Sequence, residues 1–172
     1  MRKWMPLLFV TTLVLLIDQI AKQWIIQTLA IGETHAIIPA LQPYFQFTRT
    51  TNTGIAFGLG AGGSTLFLIL STTIIMGLFY VYATSKKEAL LYHIALAIIL
   101  GGAIGNVIDR LRFGHVVDFF HVVIPGIISN VSNFADHAII LGVMLLITDS
   151  YRQEQRQKHA SETDTLNPEK AD

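Results

Sequence analysis

The chain has 172 residues, of which 52% are hydrophobic and only 14% charged, with 12 acidic and 12 basic side chains and a mean hydropathy of +0.52. Soluble globular domains carry about 25% charged residues, so this composition excludes that class and points to a membrane protein. Cysteine is absent, which removes disulfides, thiolate nucleophiles and cysteine-ligated zinc.

The N-terminal "MRKWMPLLFVTTLVLLID" has the basic start and apolar run of a secretory signal peptide. No A-x-A-like cleavage site follows promptly, however, and the run continues through Asp18 and Lys22 to "WIIQTLAI". It reads instead as the first of four membrane spans, each about 18–20 residues long as a bilayer core demands. These spans fall near residues 5–25, 65–83, 89–108 and 131–147. The connections 30–64 and 111–130 are long for hairpins, and long loops carry function. In the first, "YFQFTRT" sets Phe45 and Phe47 on one side and Tyr44, Gln46 and Thr48 on the other. That alternation predicts a short strand pair resting on the membrane surface. The polar, mixed-charge tail from Tyr151 predicts a frayed helix end followed by disorder. The expected fold is thus an all-α membrane protein with four transmembrane helices and a small β-containing extracytoplasmic region. Residues 1–150 are expected to form one four-helix membrane domain and residues 151–172 a polar cytoplasmic tail.

Arg2 and Lys3 precede the first span, Lys86 and Lys87 separate the second from the third, and Arg152, Arg156 and Lys158 follow the fourth. The positive-inside bias then makes those segments and both termini cytoplasmic. Each outward loop still carries an arginine, Arg49 in one and Arg112 in the other.

An ionisable group at membrane depth is costly and marks a functional site by default. At about 1.5 Å per residue Asp18 lies roughly 20 Å from the cytoplasmic face, with Lys22 one turn further out, and Asp136 stands at a similar height in the fourth span. Asn106, Asp109 and Arg110 come near the outer end of the third, so one layer receives polar groups from independent helices. Bland readings stand beside this one. Lys22 can snorkel, Asp109 and Arg110 can be an anchoring ion pair, Gly101 and Gly105 can serve helix packing, and Asn52 with Gly54 can be a turn signal.

For chemistry, Ser64 in "GGSTL" lacks a G-x-S-x-G elbow, and a Ser–Lys dyad would have to use Lys22. "HVVDFFHVV" spaces His115, Asp118 and His121 three apart, a candidate zinc set without an H-E-x-x-H motif. Two carboxylates in a poorly solvated layer fit acid–base hydrolysis, because close like charges share one proton and titrate as a pair. A small ion- or proton-coupled transporter is the alternative, although a polar path across the full membrane depth is missing from the sequence.

The series "DQIAK" (Asp18, Gln19, Lys22), "NTGIAF" (Asn52, Gly54, Phe57), "GGAIGNVIDR" (Gly101, Gly102, Gly105, Asn106, Asp109, Arg110), "VVDFF" (Asp118) and "NFADHAI" (Asn133, Ala135, Asp136) resembles the bacterial lipoprotein signal peptidase family, signal peptidase II. The resemblance runs from about Trp4 to Asp149. It implies an intramembrane aspartyl endopeptidase of the bacterial inner membrane, active near the periplasmic face. The implied substrate is a diacylglyceryl-modified prolipoprotein, cut just before the lipidated cysteine. Asp118 and Asp136 look like its catalytic dyad. Asn52, Asn106, Arg110 and Asn133 look like groups that line the site or bind substrate, with Asp18 and Lys22 behind them and Gly54, Asp109 and Ala135 shaping it. No cofactor, metal or nucleic-acid partner is expected; the partners are the prolipoprotein and membrane phospholipids, and the chain is expected to be a monomer. Ser132 and His137 depart from the family's pattern of a Phe before the asparagine and a small residue after the aspartate.

Overall fold

The computed structural model describes residues 4–54, 63–85 and 90–166. Phe57, Lys86 and Lys87 lie outside the described residues. Among the described residues four helices are long and apolar enough to cross a membrane: α1 (Trp4–Thr28), α2 (Gly63–Thr84), α3 (Leu90–Phe113) and the apolar part of α4 (Phe134–Leu166). In lipid every backbone polar group must be satisfied internally, and apolar runs of this length do so as helices. α3 is the central element, packed by α1, α2 and α4, and it contributes Ala95, Ala97, Leu100 and Ala103 to the core. The outer faces of α1 and α2 leave Leu8, Ile20, Ile69 and Met76 exposed, an apolar surface suited to lipid.

Helices meet closely where side chains are small. Gly101 lies against Val14 of α1, as its packing reading expects. Gly105 faces a polar neighbour: a Cβ there would stand 2.6 Å from Asp18 Oδ2. Gly105 is therefore the space in which the Asp18 carboxylate sits.

The strands form one four-stranded antiparallel sheet in the order β1 (Thr34–His35), β2 (Phe45–Asn52), β3 (Val116–Ile124), β4 (Ile128–Ser132). The strand pair expected within the first loop is present, with Thr34 opposite Thr48. The longer partner of β2 comes from the second loop, however, with Thr50 opposite Asp118 and Asn52 opposite Val116. An aromatic cluster ties this sheet to the helices. Phe119 and Val117 bury beside Ile25 and Leu29 at the end of α1, and Phe47 meets both Trp24 and Phe120 edge-on. Phe120 also meets Phe134 of α4 at 4.8 Å between ring centroids. Arg49 donates to the carbonyls of Ile26 and Leu29, so this loop arginine caps the carbonyl end of α1.

Two boundaries differ from expectation. The fourth span does not begin at Val131, because Val131 and Ser132 pair with His121 and Phe120 as the end of β4, and the helix starts at Phe134. Nor does the helix fray at Tyr151. It runs to Leu166, through "RQEQRQK", whose residues are good helix formers and carry the i,i+4 pair Glu154–Lys158 at 2.7 Å.

Gly105→Ala is expected to destabilise the protein by about 1–3 kcal/mol, the usual cost of overpacking. Gly77→Ala, with nothing within 4 Å of the added carbon, is expected to leave stability unchanged or slightly raised. Thermal unfolding in one detergent compares the two.

Candidate active site

The site is built outward from Lys22. Its side chain is buried, with Nζ 2.9 Å from Asp18 Oδ2 and 2.8 Å from Asp109 Oδ2, and it donates to Asn106 Oδ1 at 3.0 Å. The snorkelling alternative for Lys22 is thereby corrected: facing carboxylates from its own helix and from α3 hold the ammonium in the protein interior. Asp109 likewise forms no ion pair with Arg110 at contact distance. Its oxygens take Lys22, the Gln19 side chain at 3.0 Å and the Val117 backbone N–H at 3.1 Å. Asp18 Oδ1 accepts the backbone N–H of Ala135 at 2.9 Å, in the first turn of α4, where a negative charge complements the helix dipole.

Three asparagines connect this centre to two more aspartates. Asn106 uses its Nδ2 to donate to Asp136 Oδ1 at 2.8 Å, while its Oδ1 is held by Lys22. Asn133 is the N-cap of α4, its Oδ1 accepting the Asp136 backbone N–H at 2.9 Å. Its Nδ2 donates to Asp118 Oδ1, so a single side chain joins the Asp118 carboxylate to the backbone of Asp136. Asn52 donates to Asp118 Oδ2 at 2.9 Å and also accepts the Gly54 N–H at 2.9 Å, which makes it a turn residue and a site residue at once. It reaches Asp118 because positions 50 and 52 share a face of β2 as 118 and 116 do of β3.

Arg110 approaches from α3. It interacts electrostatically with Asp136, Asp118 and Asp109, lies 5.7 Å from the Phe67 ring centroid, and has its buried Nε unpartnered among the described residues. Gly54 serves this arrangement: its φ is +77° and a Cβ would run into the Phe67 ring. Burial pushes the Asp118 carboxyl up to about 6, with Asp136 adding to the rise, while the hydrogen bonds from Asn52 and Asn133 and the charge of Lys22 hold it down.

Every residue expected at the site is therefore drawn into one connected network: Asp18, Lys22, Asn52, Gly54, Asn106, Asp109, Arg110, Asp118, Asn133, Ala135 and Asp136. The histidine set does not converge. His121 bonds Thr48 and Gln46 through Nδ1 and Ser129 through Nε2, and a three-residue spacing on a strand sends it and Asp118 to opposite faces. Ser64 donates to the Gly114 carbonyl, while Lys22 is taken by carboxylates. Gln19 and Phe67 join the site without a sequence expectation behind them. Gln19 lies within the "DQIAK" motif, whereas nothing in the sequence marks Phe67. Ser132 and His137, the two departures, face each other at 3.4 Å, and the His137 ring rests edge-on against Phe120.

The description of signal peptidase (SPase) II matches residues 10–152. The chain belongs to the signal peptidase II family. It is 35% identical over 152 residues to a lipoprotein signal peptidase of Bacillus subtilis, covering 86% of this chain and 97% of that protein. A Burkholderia mallei protein of the same name is 38% identical over 151 residues, with 86% and 89% covered. The fold is also similar to a solved structure described as a bacterial membrane enzyme, with TM-score 0.76, 30% identity and coverage of 87% of this chain and 90% of that one. A second structure so described gives TM-score 0.75 at 31% identity, covering 83% and 90%. Family membership makes the chain a bacterial membrane protein and a protease.

The folded Asp118 carboxyl keeps its proton to higher pH than an unfolded one at 3.8. It therefore contributes stability that is present below about pH 4 and lost as pH rises through about 6. Asp118→Asn cannot titrate, so the fall in Tm across that window is expected to be shallower in the variant than in the parent.

Proposed function

We propose that the chain is an aspartic lipoprotein signal peptidase in which Asp118 and Asp136 activate the attacking water. The supporting observation is that amide groups hold both carboxylates, Asn52 and Asn133 donating to Asp118 and Asn106 to Asp136, while Asn133 also accepts the Asp136 backbone N–H. Two carboxylates so held at low solvation share a proton. The ionised member takes a proton from water, whose oxygen attacks the scissile carbonyl, and the protonated member gives its proton to the carbonyl oxygen. Collapse of the resulting gem-diol breaks the C–N bond, and the proton returns to the leaving amine. Arg110, with an unused N–H beside the aspartates, is suited to bind a backbone carbonyl of the substrate.

The substrate is a prolipoprotein bearing a diacylglyceryl group on its cysteine, cut just before that cysteine. Its acyl chains remain in lipid while the peptide bond reaches the aspartates. Lysine and arginine before α1 and after α4 support cytoplasmic termini, which puts the aspartates toward the periplasmic face of the inner membrane. Among the described residues the network is drawn from α1, α3, α4 and the sheet of one chain, so a monomer suffices for catalysis.

Purified protein in detergent is expected to cleave a diacylglyceryl-modified prolipoprotein equally with and without chelator. Asp118→Asn and Asp136→Asn are each expected to slow cleavage by about 10²–10⁴-fold, the usual share of acid–base catalysis. Near-parent turnover in either folded variant would remove that aspartate from the mechanism.

A further inference from the structure

The end of the bundle opposite the aspartates carries a second polar pocket. It lies between the start of α3 and the polar extension of α4, has a volume of about 190 Å³, and is lined by Leu90, Leu91, Asp149, Arg152, Gln153 and Arg156. Arg152 and Arg156 are four residues apart and so share a helix face. Neither makes an ion pair among the described residues, although the neighbouring Glu154 and Lys158 do. Asp149, only 6% exposed, accepts the Gln153 side chain on Oδ2 at 2.6 Å, and its Oδ1 takes no hydrogen bond from the described residues. The pocket thus offers two guanidinium groups to an anion and, beside them, one carboxylate oxygen to a donor.

Its position restricts what can enter. At about 1.5 Å per residue Arg152 lies roughly 24 Å along α4 from Asp136, most of the about 30 Å thickness of a bilayer core. The adjoining surface is apolar and open, with Leu90 61%, Ile147 65% and Tyr151 62% exposed. Tyrosine at this depth suits the headgroup level of a bilayer.

We propose that this pocket binds the headgroup of a phospholipid whose phosphodiester meets Arg152 and Arg156 and whose ammonium or hydroxyl donor meets Asp149. The acyl chains then follow the exposed faces of Leu90 and Ile147. A headgroup without an N–H or O–H donor satisfies only half of the site, so phosphatidylethanolamine and phosphatidylglycerol bind in preference to phosphatidylcholine. The site shares no residue with the aspartate network.

Native mass spectrometry of the full chain, released from mild detergent with added phosphatidylethanolamine, phosphatidylglycerol or phosphatidylcholine of matched chains, tests this. The parent is expected to retain the first two over the third. R152Q/R156Q, with unchanged thermal unfolding, is expected to retain each about tenfold less, and Asp149→Ala to lose the discrimination against phosphatidylcholine. Equal retention by parent and double variant would overturn the proposal, as would equal retention of all three lipids by the parent. Displacement of the lipid by millimolar inorganic phosphate would assign the arginines to a soluble anion and overturn the lipid assignment.

Discussion

A lysine ammonium held inside a membrane bundle is the constraint from which the rest of this structure follows. Isolated, Lys22 would be too costly to keep charged at that depth. It is tolerated because Asp18 and Asp109 stand within 2.9 Å and Asn106 completes its donors. Each partner is committed in turn to another element. Asp18 caps α4 at Ala135, Asp109 holds the start of β3 at Val117, and Asn106 reaches Asp136. One buried charge thereby fixes α1, α3, α4 and the sheet relative to one another, and the two aspartates at the rim are placed by those same elements.

The asparagines carry this order outward. An amide has a donor and an acceptor, so each can bind a fixed group on one side and a carboxylate on the other. Asn106 links Lys22 to Asp136, Asn133 links the backbone of Asp136 to Asp118, and Asn52 links the turn at Gly54 to Asp118. A neutral amide orients a carboxylate without fixing it as ionised, which a lysine or arginine in the same place would do. That is the property a pair sharing one proton requires.

Much of this was legible before the fold. Asp18 and Lys22 sit one turn apart in "DQIAK", and the depth argument gathers Asp18, Asp109 and Asp136 into one layer. The fate of Lys22 was not legible, because snorkelling and burial differ only by the arrival of Asp109 from another helix. The start of α4 is illegible for a similar reason: Val131 and Phe134 bracket the first residues of the run and extend the apparent span, and only pairing with β3 makes Val131 and Ser132 a strand end. The helical run past Tyr151 was hidden by polarity, since a solvated helix of Gln, Arg, Lys and Glu has no apolar stripe to reveal it. Phe67 left no trace, because its role depends on the missing side chain of Gly54 and on Arg110 across the site.

The most direct test of this dependence is turnover of Lys22→Met, which fills the same space without the charge, measured with the diacylglyceryl prolipoprotein on protein shown to be folded. The account predicts that kcat falls by about tenfold or more, because Asn106 loses its anchor and Asp136 its orientation, while KM changes little. A folded Lys22→Met protein with parent kcat would contradict it and show that the aspartates are positioned without the buried charge.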